Sequence, residues 1–128
     1  MEEEVRMMPD GIHTVIGNGG VRLSGGQQAR IALARTLCHK KPVIVLDDPF
    51  SAVDQKTERE IMKNLKAMTE DSIVIILSHR LMMFPQMDQV FWLEDGKIIR
   101  SDHEHLMTDC PEYARLYHMQ TEGGGQHA

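Results

Sequence analysis

The chain has 128 residues, enough for one ordinary domain, and its 14 Lys and Arg against 19 Asp and Glu leave a net charge of −5. That balance, with the basic residues scattered along the chain, excludes a general nucleic-acid field, so no nucleic-acid partner is expected. Cys38 and Cys110 lie far apart with no C-x-x-C spacing, which argues for a reducing compartment and against a disulfide framework or a zinc site, and the longest apolar run, Ile73 to Leu77, is too short to cross a bilayer.

Residues 1 to 23 mix Pro9-Asp10-Gly11 and Gly17-Asn18-Gly19-Gly20 turns with the short apolar stretch Val15-Ile16, and predict loops with little regular structure. A helix is predicted from Gly25 to His39, with Ser24 as its N-cap and Lys40-Lys41-Pro42 ending it. Its apolar positions Ile31, Ala32, Leu33, Ala34 and Leu37 predict one packed face, and Cys38 is expected to be a small core residue. Val43 to Asp47 reads as a strand apolar on both faces, as inside a parallel sheet. Ile61, Met62, Leu65 and Met68 recur at helical spacing after Asp54, a second N-cap candidate, and Ser72 to Leu77 gives a second two-sided strand. Asp95-Gly96 between apolar runs predicts a hairpin, and His103 to Met107 and Glu112 to Met119 read as helical.

Leu23-Ser24-Gly25-Gly26-Gln27 is the tract that carries chemistry. A glycine-containing turn running into a helix points unpaired backbone N–H groups and the positive end of the helix dipole the same way, which suits a phosphate. Followed by QARIALARTL, this tract resembles the signature motif of ATP-binding cassette (ABC) proteins. Downstream, Val43 to Asp48 resembles the Walker B strand of that family, Ser51-Ala52-Val53-Asp54 its D-loop, and Ser78-His79-Arg80 its switch-histidine segment. The similarity runs from about Met8 to Tyr117. No G-x-x-x-x-G-K-[ST] P-loop is present, since the one Gly-Lys pair, Gly96-Lys97, precedes Ile98. The resemblance is therefore to the C-terminal half of an exporter-type cassette.

It implies an α/β fold: part of a P-loop NTPase (RecA-like) parallel sheet with flanking helices, a C-terminal β-hairpin and part of the ABC helical subdomain. Residues 1–24 would end the helical subdomain, 25–121 form the core, and 122–128 a flexible tail. It also implies ATP and Mg²⁺ as cofactors. Leu23, Ser24, Gly25, Gly26 and Gln27 would bind nucleotide held by an opposite cassette, with Ser51, Ala52 and Asp54 bridging the two. Asp47 would hold the ion, although an aspartate there can also cap the following loop. Asp48 stands where the family usually has glutamate and reads as a weakened base, one methylene short, with His79 as γ-phosphate sensor. Asp54 can cap its helix and serve the D-loop at once. His103-Glu104-His105 reads as a solvated helix start, because residues two apart do not share a helix face.

The partners implied are a second cassette, in a homo- or heterodimer, and a transmembrane domain at the cytoplasmic face of the membrane. Two other readings stay open. One is a catalytically inert fragment that only docks to a complete cassette; the other is a soluble ABC ATPase of DNA repair or translation. If the sheet lacks its missing half, some apolar surface is expected to lie open.

Overall fold

The computed structural model describes residues 1–39 and 41–123. They form two compact units, Met1–Ser78 and a second beginning at His79. In the first unit, helix α1 (Glu2–Arg6) puts Glu2, Glu3 and Glu4 in its first turn, where the helix dipole favours negative charge. A 3₁₀ turn follows at Gly11–His13. Both are regular structure in a stretch whose turn residues predict loops; neither is long enough to display a helical period. Gly17 and Gly19 have positive φ, and a Cβ on Gly20 would lie 2.0 Å from the Val15 carbonyl oxygen, so the turn that brings Ile16 beside Val21 depends on glycine.

Helix α2 (Gly25–Cys38) starts on the predicted cap, but Leu33 is its one buried residue among those described, and Ala32 and Ala34 are exposed. The predicted packed face is thus narrower than the sequence suggests. Cys38 is exposed and not a core residue; the buried cysteine is Cys110. Strands β1 (Val43–Asp47) and β2 (Ile73–Leu77) pair in parallel, from Val43 opposite Ile73 to Asp47 opposite Leu77. Helix α3 (Gln55–Met68) connects them and buries Met62 and Leu65, while Met68 is half exposed.

Ile44 and Leu46 of β1 are buried with Phe50 and Val53. The other face is open: Val43, Val45, Ile73, Ile75 and Leu77 are 47–65 % exposed. The strands read as two-sided from sequence, and a parallel sheet is ordinarily covered on both faces. Here one face is covered, which is the open apolar surface expected of a sheet lacking further elements.

In the second unit, β3 (Val90–Glu94) and β4 (Lys97–Ser101) form the predicted hairpin. Asp95 and Gly96 take positive φ at its tip, the twist that a two-residue hairpin turn requires. Helices α4 (His103–Asp109) and α5 (Pro111–Glu122) pack on each other and on the Leu81–Gln86 3₁₀ segment. Leu81, Val90, Leu106, Cys110 and Tyr113 make the core. Burial pushes the Tyr113 phenol up to about 12, while its oxygen bonds His103 Nδ1 at 2.8 Å and its ring meets Trp92 edge-on. Glu122 closes α5, and residues 124–128 of the expected tail lie outside the described residues.

Candidate functional site

The site begins with a cap. Ser24 is extended, with φ −65° and ψ 160°, and its hydroxyl oxygen accepts from the Gln27 N–H at 3.2 Å. The Gln27 side chain returns the bond, its Oε1 accepting from the Ser24 N–H at 2.9 Å. This reciprocal box satisfies two backbone donors of the first turn and leaves the Gly25 and Gly26 N–H groups with no intrahelical partner. Those two donors carry the positive end of the helix dipole.

The glycines are there because another loop comes close. A Cβ on Gly26 would stand 2.9 Å from the Ala52 carbonyl oxygen, and one on Gly25 would stand 3.3 Å from the Ala52 Cβ. The Ser51–Asp54 turn therefore runs against the start of α2. Asp54 caps α3, its carboxylate accepting from the Lys56 and Thr57 N–H groups at 3.1 Å and from the Thr57 hydroxyl at 2.6 Å. The Thr57 hydroxyl first, then these backbone donors, hold the Asp54 carboxyl below the ordinary aspartate range.

Between the two turns lies an open cavity of about 420 Å³, lined by Ser24, Gly25, Gly26, Arg30, Ala52, Val53, Asp54 and Thr57. The structure thus gathers five of the residues singled out in the sequence. Leu23, Gln27 and Ser51 flank the cavity in the chain without lining it. Asp47 ends β1, exposed, and Asp48 follows in the left-handed region at φ 45°, its N–H donating to the Leu77 carbonyl at 2.7 Å. His79 is exposed and opens the second unit, where the Gln120 side chain holds its segment: Gln120 Nε2 donates to the His79 carbonyl at 2.6 Å, and Gln120 Oε1 accepts from the Leu81 N–H at 2.8 Å.

Two residues at these places were given no role by the sequence, although Arg30 lies within the quoted signature tract. Gln120 is one, acting 41 residues from His79. Arg30 is the other: its Nε donates to the Gly26 carbonyl at 3.2 Å, and its Nη1 and Nη2 pair with the two oxygens of Glu4 at 3.0 and 2.9 Å. The Glu4 carboxyl is lowered to about 2, first by the Met1 amino group, then by the Gln27 amide and Arg30.

The donor set fits a phosphate edge: two N–H groups with no hydrogen-bond partner among the described residues, a hydroxyl proton on Ser24 that its cap bond does not use, and glycines where a side chain would collide. It does not fit a whole triphosphate, because no lysine follows a glycine nest in this chain. Among the described residues no group of three His, Cys, Asp or Glu could hold a metal ion. A single exposed carboxylate, Asp47, fits Mg²⁺ that keeps its water and phosphate ligands, not a resident ion in a protein cage.

Residues 3–51 match the family model described as ABC transporter. An ATP-dependent lipid A-core flippase of Burkholderia thailandensis is 38% identical over 119 residues, 92% of this chain and 20% of the flippase. That of Pectobacterium atrosepticum is 40% identical over 117 residues, 91% of this chain and 20% of the flippase. Among solved structures, a bacterial Atm1-family ABC exporter with ATP bound superposes with a TM-score of 0.84 at 30% identity, covering 93% of this chain and 21% of the exporter. The chain spans about one fifth of the length of these relatives.

Proposed function

We propose, for a chain that belongs to the exporter-type ABC nucleotide-binding domains and corresponds to their C-terminal half, that it grips nucleotide held by another lobe. Ser24, Gly25 and Gly26 would meet the phosphates presented by a second cassette, with Leu23 and Gln27 shaping the turn. The D-loop residues Ser51, Ala52 and Asp54 would lie along the same contact. The observation that carries this reading is the capped glycine turn, exposed at Ser24 and Gly25 and half-buried at Gly26, opening on a cavity shared with the Ala52 loop. A turn buried against its own sheet would leave no room for a ligand.

Asp47 would bind Mg²⁺ through water, and the ion would supply charge neutralisation on the phosphates. Asp48 would polarise the attacking water, and His79 would donate a hydrogen bond to the terminal phosphate. Both would act on nucleotide held by a P-loop that this chain lacks. In the whole transporter, closure of two such cassettes around ATP would drive transmembrane segments from the cytoplasmic face.

The open β1–β2 face favours one further reading of the polypeptide itself, an inert fragment that docks to cassette elements it does not contain. Hydrolysis and binding separate the two levels. The chain alone is expected to show no Mg²⁺-dependent ATP hydrolysis above background. Mixed with a complete cassette carrying G-x-x-x-x-G-K-[ST], it should bind at least about tenfold more tightly with Mg-ATP than without. Gly25→Asp should abolish that difference by setting a carboxylate against the phosphates. Robust turnover by the isolated chain, or binding indifferent to nucleotide, would contradict the proposal.

A further inference from the structure

We propose that Glu4 is a positioning residue for the phosphate-facing turn, acting through Arg30 and Gln27; this rests on the role given above to Ser24–Gly26. Three contacts converge. Arg30 stands one helical turn beyond Gly26 and donates Nε–H to the Gly26 carbonyl at 3.2 Å. Its other two nitrogens form a two-pronged pair with the Glu4 carboxylate, at 3.0 and 2.9 Å. Glu4 Oε1 also accepts from Gln27 Nε2 at 3.3 Å.

The last bond has a consequence for the cap. A glutamine amide presents its oxygen and its nitrogen in opposite directions, so an amide nitrogen turned toward Glu4 leaves the oxygen turned toward the Ser24 N–H, where it accepts at 2.9 Å. The carboxylate of α1 therefore selects the orientation of Gln27 that closes the capping box. The guanidinium fork fixes Arg30, and with it the Gly26 carbonyl, from the same anchor. Arg30 and Glu4 side chains are 24 % and 34 % exposed, so the pair is partly desolvated and two-pronged, the geometry in which an ion pair holds position. A carboxylate 26 residues upstream of Arg30 thus presets the two backbone donors of Gly25 and Gly26, reducing the ordering that binding would otherwise require.

Amide hydrogen exchange on the full chain tests this directly. In Glu4→Ala the Ser24 and Gln27 amides should exchange about 5–10 times faster, the change expected for opening one capping box, while β1 and β2 amides keep wild-type protection. Glu4→Gln, which keeps one acceptor and loses the two-pronged pair, should fall between, and it is the variant read if Glu4→Ala loses β1 and β2 protection. Mg-ATP-dependent binding to a complete cassette should weaken about 3–10-fold in Glu4→Ala. Wild-type exchange at Ser24 and Gln27 would overturn the proposal, as would unchanged or tighter nucleotide-dependent binding. If the wild-type chain itself shows no nucleotide-dependent binding, the proposed function fails, and the exchange rates alone decide whether Glu4 sets the turn.

Discussion

Gly26→Ala separates steric need from helix preference at the site. Alanine is the better helix former by ~1 kcal/mol, so on propensity alone the substitution would stabilise α2. Against this, the new Cβ would sit 2.9 Å from the Ala52 carbonyl oxygen, a main-chain atom that cannot rotate away. Opening that gap to ordinary contact moves a turn whose Asp54 carboxylate is fixed by three hydrogen bonds. Overpacking costs ~1–3 kcal/mol, and a main-chain obstacle puts this clash in the upper half of that range, leaving a net loss of about 1–2 kcal/mol, several degrees in melting temperature for a unit of this size. Gly25→Ala meets only the Ala52 Cβ at 3.3 Å and should stay within about 0.5 kcal/mol of wild type. Ala52→Gly should relieve Gly25→Ala and leave Gly26→Ala unrelieved, because only the first clash is with the Ala52 side chain. Thermal and urea unfolding followed by far-UV circular dichroism reads all four variants. A Gly26→Ala chain as stable as wild type, or one restored by Ala52→Gly, would refute the reasoning.

Three further outcomes follow from the same geometry. Val45→Lys with Ile75→Lys, neighbours across the open sheet face, should lower self-association in sedimentation and dye binding with less than about 0.5 kcal/mol lost in stability per site, whereas buried positions would lose several times that. Asp48 sits at φ 45°, so Asp48→Gly should be neutral or stabilising and Asp48→Val should cost about 1–2 kcal/mol in urea unfolding, since a β-branched residue resists the left-handed region. At the start of α4, the Asp102 carboxylate accepts from the His105 N–H and ring, raising His105 above 6.5, while the His105 N–H first and its ring next lower Asp102 below 3.8. The His105 contribution is full below pH 6.5 and lost as pH rises through its raised value; the Asp102 contribution is full above pH 3.8 and lost as pH falls through its lowered one. Protection at the first turn of α4, taken relative to the intrinsic exchange rate at each pH, should therefore be greatest between about pH 4 and 6.5, and Asp102→Asn should return the His105 ring titration in NMR to its ordinary range.

Local chemistry was legible in the sequence and long-range packing was not. Ser24 and Asp54 cap the two long helices because a short polar side chain before an apolar run has few better places to bond, and Asp95-Gly96 turns the hairpin because its tip needs positive φ. The gathering of Ser24–Gly26 with Ala52–Asp54 was implied only by family resemblance; no spacing rule brings residues 26 apart together. Glu4, Arg30 and Gln120 were missed for the same reason, since a salt bridge or amide clamp between distant positions leaves no periodic trace. Cys38 and the alanines of α2 misled because apolar character predicts what a surface could bury, not whether this chain supplies the cover. The same holds for Val43, Val45, Ile73, Ile75 and Leu77, whose two-sided pattern belongs to a sheet with more layers than the described residues provide.

Residue-resolved exchange at Gly25 and Gly26 reads the central claim most directly, because these are the first-turn donors left free for a ligand. With a complete cassette and Mg-ATP together, both amides should become protected by about tenfold or more, and with either component alone they should exchange as in the isolated chain. Protection by the cassette without nucleotide, or none with both present, would contradict a turn built to hold phosphate offered by another lobe.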